Sequence, residues 1–157
     1  MFKRFWNSLS LIGAEPHYDD KLIKRITLIN QFNFIAIFIF LFSGIDSFLL
    51  GDKQSSFLIV FFILICISGF WLNFKRHHNF AISYLFISVS TAIFYFDSYL
   101  GIASGNYLYH FPLILGIAFV FDIKEKNKLL FHFSLPLIYL FINVATDYSL
   151  FQNSVLS

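Results

Sequence analysis

A chain of 157 residues that is 58% hydrophobic and only 13% charged carries more apolar side chain than a soluble domain of that size can hide. Its 24 Phe residues sharpen the point, because a water-facing fold has no interior large enough for so many rings. The net charge of +2 is small; its placement along the chain carries the information.

Residues 1–18 read as a cytoplasmic amphipathic leader. Phe2, Phe5, Trp6, Leu9 and Ile12 recur near helical spacing while Lys3, Arg4 and Asn7 take the other face. That pattern suits a helix lying on a membrane surface, although a frayed terminus would read similarly. Gly13 and Pro16 break it. Residues 19–157 read as a multi-spanning membrane domain. Asp19 or Asp20 can cap the next helix, with Lys24 and Arg25 at headgroup level. A hydrocarbon core of about 30 Å needs about 20 helical residues, and five apolar stretches approach or exceed that length. They lie at about residues 27–50, 56–74, 80–100, 106–121 and 129–148. The fourth is the shortest and contains Pro112 and Gly116; the fifth contains Pro136. Each proline removes a backbone donor and kinks its helix, as a hinge or as static packing. The first stretch is too long for a signal h-region and lacks a small-residue cleavage pattern after it.

Ten of the eleven Lys and Arg residues fall on one side of this arrangement. Lys3, Arg4, Lys21, Lys24 and Arg25 precede the first span, Lys75 and Arg76 separate the second from the third, and Lys124, Lys126 and Lys128 separate the fourth from the fifth. Only Lys53 lies in an odd-numbered loop. Short basic loops stay cytoplasmic, so the N-terminus is expected inside. The sequence-level fold is therefore an all-α integral membrane bundle of five transmembrane helices plus an N-terminal interfacial helix.

Chemistry is expected at the outer ends of the spans. Asp46, Asp97, His110 and Asp147 come from four different spans at one depth, with Asn106, Tyr99, Tyr107 and Tyr109 nearby. An ionisable group within a span costs about 2.5–3.5 kcal/mol on insertion scales and so faces the bundle or water. These groups either form an outward-opening polar pocket, a proton or cation sensor with His110 among carboxylates, or snorkel to the headgroups. The ligand-binding set is Asp46, Asp97, Tyr107, His110 and Asp147.

No metal, haem or other cofactor is expected. His110 and His132 lie roughly 10–15 Å apart along a bundle axis, too far to share one metal ion. His77 and His78 point apart, and no Cys or His spacing matches a zinc site. The chain also lacks a Walker A loop, a dinucleotide Gly fingerprint, HExxH and a nucleophile elbow, so it is not expected to be an enzyme. The single cysteine, Cys66, lies mid-span as a packing residue. Asn30, Gln31 and Asn33 at the inner part of the first span either hydrogen-bond across helices or couple the leader to rearrangement of the bundle.

The stretch from Asp20 to Asn30 with Lys24, Arg25, Ile26 and Leu28, the basic turn Lys75 to His78, the run from Tyr107 to Pro112, and Phe121-Asp122 before Lys124 and Glu125 together resemble a known type of module. It is the N-terminal six-helix membrane module of bacterial signalling proteins, chiefly sensor histidine kinases and class III nucleotide cyclases. The resemblance implies a sensory or anchoring domain in a bacterial inner membrane, a homodimer, and a cytoplasmic effector beyond Ser157. It also implies that the sequence stops before a sixth span. The expected partners are thus the lipid bilayer, a second copy and that effector, with no nucleic acid. A small oligomeric transporter or channel subunit, its pore lined by Asp46, Asp97 and Asp147, is the alternative.

Overall fold

The computed structural model describes residues 2–152. The last part of the expected terminal loop, residues 153–157, lies outside them. Six α-helices follow in chain order: α1 (Phe2–Ser10), α2 (Asp20–Leu49), α3 (Lys53–Phe74), α4 (His78–Leu100), α5 (His110–Val120) and α6 (Lys126–Ala145), with short 3₁₀ turns at Ile102–Ser104, Asn106–Tyr109 and Ile123–Glu125. No strand occurs among the described residues. Four of the helices are long and apolar enough to cross a membrane; the segment Asn106–Val120 is apolar but shorter.

Large rings are exposed, and polar groups are buried within an otherwise apolar core. Phe42, Phe57 and Phe141 are 61%, 74% and 73% exposed, while Asn30, Asn73, Asn143, Asp97 and His110 are buried almost completely. This arrangement suits a hydrocarbon surrounding, since exposed rings are costly in water and buried polar groups are costly in lipid unless they find each other.

Helix starts follow their caps. The Asp19 carboxylate accepts from Leu22 N at 2.6 Å, so α2 begins at Asp20, two turns earlier than its apolar run. Asp52 does the same for α3 through Ser55 N at 3.0 Å. Between them, Gly51 takes φ +76° in open space and reverses the chain.

The chain divides into two compact units, residues 1–85 and 86–157, and α4 passes from one to the other. In the first, α2 packs along α3. Gly69 faces the Asn33 amide, whose atoms would lie 2.7–2.8 Å from a Cβ placed there. Small residues let membrane helices approach in this way. Phe40 stacks on Phe62, and Cys66 is buried in α3. In the second unit, α5 packs on α6. Phe94 of α4 stacks on Tyr139 of α6 at 4.5 Å, and His132 sits against Phe86 and Phe121. Helix α6 runs through the buried Pro136.

Candidate functional site

The second unit holds a buried polar cluster built from three helices. Asp97 and Ser98 lie in the last turn of α4, His110 opens α5, and Asn143 lies near the end of α6. Two glycines allow the return from α4 to α5. Gly101 and Gly105 adopt φ +77° and +71° on either side of the 3₁₀ turn Ile102–Ser104, and the Asn106–Tyr109 turn then delivers His110.

His110 Nε2 lies 3.1 Å from Asp97 Oδ2, and both side chains are only 1% exposed. An ionised carboxylate can only accept, so Nε2 carries the proton of this bond. Asn143 Nδ2 donates to the same oxygen at 3.3 Å and approaches the Phe94 carbonyl at 3.5 Å. The Ser98 hydroxyl donates to Asn143 Oδ1. One atom on each side of the central pair is left over: Asp97 Oδ1 and His110 Nδ1 are buried without a hydrogen-bond partner among the described residues. A carboxylate and an imidazole so placed hold a proton between them, and each has a further position for a proton or a small polar guest. A Ser-His-Asp relay would need a serine hydroxyl on the imidazole. Ser98, next to the pair, directs its hydroxyl to Asn143 instead.

The turn after α6 closes on this cluster. Asp147 and Tyr148 both adopt left-handed backbone, φ +49° and +55°, and Tyr148 N bonds back to Asn143 O at 2.7 Å. Consecutive non-glycine residues in that region are strained, and the result here is a buried Tyr148 ring, 6.0 Å from Tyr107 and within electrostatic range of Asp97. Phe151 then stacks on Tyr95 at 5.1 Å.

Of the five residues expected to form the site, Asp97 and His110 meet directly, and Tyr107 joins through Tyr148. Asp147 is exposed in the turn, and Asp46 is exposed in the last turn of α2, in the other unit. Ser98, Asn143 and Tyr148 were not anticipated. Asn143 carried a readable signal, since it is a carboxamide inside an apolar run, like Asn30. Among the described residues no group of three or more His, Cys, Asp or Glu could hold a metal ion.

The first unit contains a second polar centre. Asn30 Nδ2 donates to the carbonyls of Ser10 at 3.0 Å and Ile12 at 2.9 Å, and Asn30 Oδ1 accepts from Asn73 Nδ2 at 2.8 Å. His78 Nδ1 lies 3.2 Å from Asn73 Oδ1, and a carboxamide oxygen makes the imidazole the donor. Tyr18 meets the His78 ring edge-on at 5.6 Å. Outside the chain of amides, Arg76 and His17 both pair with Glu15, at 2.5 and 3.2 Å. The segment after α1 is thereby tied to α2, α3 and the start of α4.

Comparison of the chain with protein-family models, with curated proteins and with solved structures finds no match. The functional reading therefore rests on the site's own geometry.

Proposed function

We propose that this chain is the membrane-embedded sensory or anchoring domain of a signalling receptor in a bacterial cytoplasmic membrane. The N-terminus lies inside, α1 rests on the inner leaflet, and the chain crosses five times. Asn106–Val120 serves as a short fourth crossing, which local thinning of the bilayer accommodates at modest cost. The domain works as a homodimer, and a cytoplasmic effector outside this sequence receives the signal.

The observation that carries this reading is the buried Asp97–His110 pair, with one open atom on each partner. A buried carboxylate is tolerated only while it is paired, and removing its partner is strongly unfavourable. Any event that changes the proton count of the pair, or places a guest on Asp97 Oδ1, changes how well α4, α5 and α6 fit together. That difference in affinity between two packings is what a population shift requires.

Fusing the chain, followed by one added apolar helix, to a nucleotide cyclase and titrating external pH tests the reading. Output should vary with pH in the wild type and go flat in His110→Ala and Asp97→Asn. A wild-type output that never responds to any external condition would reduce the module to a passive anchor. Ion flux through the purified chain in liposomes would favour a transporter instead.

A further inference from the structure

We propose that the first unit also carries a recognition surface for anionic phospholipid headgroups, presented by Lys3 and Arg4 of α1, Lys24 of α2 and Lys75 after α3. The proposal rests on the threading given above, which puts this end of the unit in the cytoplasmic leaflet.

The polar centre of the unit ties the leader to the parts of α2 and α3 nearest Lys24 and Lys75. Asn30 holds the two carbonyls that follow the body of α1, and Phe5 and Trp6 set their ring edges against Phe34 at 6.1 and 5.7 Å. Gly13, at φ +80°, presses so closely on α3 that a Cβ would land on the Asn73 carbonyl. Lys24 is six residues before Asn30, about 9 Å along a helix, and Lys75 is two residues after Asn73. The leader is thus a docked element whose outward side has a fixed place.

That outward side is basic and apolar together. Lys3, Arg4 and Lys24 are exposed and make no ion pair among the described residues. Of the nearby carboxylates, Glu15 is committed to Arg76 and His17 and Asp19 to the cap of α2, while Asp20 stands exposed one turn before Lys24. Lys75 lies 6.0 Å from the centre of the Trp71 ring, with exposed Phe74 beside it. On the leader, Phe5 and Leu11 stay about half exposed. Cations interleaved with exposed rings fit the boundary between acyl chains and headgroups, and an excess of cations there attracts negatively charged lipid over zwitterionic lipid. A soluble acidic protein would leave the exposed rings without a partner.

The test uses the full chain purified in detergent, with phosphatidylglycerol or phosphatidylcholine titrated in. Bound lipid is counted by native mass spectrometry and unfolding is followed by heating. Phosphatidylglycerol should bind at least tenfold more tightly than phosphatidylcholine and raise the melting temperature, and high salt should erase the difference. Lys3→Gln/Arg4→Gln/Lys75→Gln should lose the preference, Lys3→Arg/Lys75→Arg should keep it, and Lys53→Gln should behave as wild type. Equal binding of the two lipids, or a salt-independent preference, would overturn the proposal even if the triple variant fails to fold. A thiol label on His77→Cys in vesicles separates this from the threading. A label reached from the exterior defeats the threading, whereas a protected one with no lipid preference defeats this proposal alone.

Discussion

The two units solve the same problem, polar groups buried in an apolar chain, in different ways. The first uses carboxamides. Asn30 and Asn73 pair with each other, and Asn30 holds two backbone carbonyls of the leader segment. No carboxylate belongs to that chain of bonds, although His78 joins it through Asn73, and its bonds fix where the leader sits. The second unit is organised around a carboxylate and an imidazole with an open atom on each. The first centre is a network of amides; the second is an acid and a base in contact.

The largest test of that contrast is charge isolation. His110→Ala should cost about 3–5 kcal/mol at neutral pH, because it strands a buried carboxylate. Adding Asp97→Asn should recover most of the loss, and unfolding titrations of single and double variants read both. A loss below about 1 kcal/mol would mean that Asp97 is not held as an anion. Next comes the docked leader. Gly13→Ala should cost about 2–4 kcal/mol, from the left-handed backbone and the collision with Asn73 together. Gly51→Ala, with the same sign of φ but open space around it, should cost only about 1–2 kcal/mol. Equal losses would argue that the leader is not pressed against α3.

Asn30→Ala should destabilise by about 1–2 kcal/mol, since it orphans Asn73 Nδ2 and the two carbonyls. Faster proteolysis at Ser10 to Tyr18 in the same variant would show that the leader comes loose, and unchanged proteolysis would show another anchor. The smallest effect has the opposite sign. Asn33 is buried with neither end of its amide bonded among the described residues. Asn33→Leu is therefore expected to be neutral or to stabilise by up to about 1 kcal/mol, and a clear loss would reveal a partner for that amide.

Much of this could be read before any coordinates. The leader helix, the break at Gly13 and Pro16, the acidic cap before α2 and the apolar stretches all follow from local pattern and turn chemistry. Half of the site was legible too, because Asp97 and His110 are ionisable groups inside apolar runs, which lipid does not tolerate without a reason. Asp46 and Asp147, expected in the same set, are exposed. Of the two readings of Asn30, the bonds across elements are seen, to the leader segment and to α3.

The one-dimensional chain determined the solvent and the elements, because the cost of placing a side chain or an unbonded peptide in lipid is set residue by residue. Which polar groups face each other was decided only in three dimensions. Rotation of a helix by one residue, about 100°, would carry Asp97 or Asn30 from its partner to the surface. Hydropathy cannot register that angle; the packing of Gly69 on Asn33 and the turns at Gly101 and Gly105 fix it.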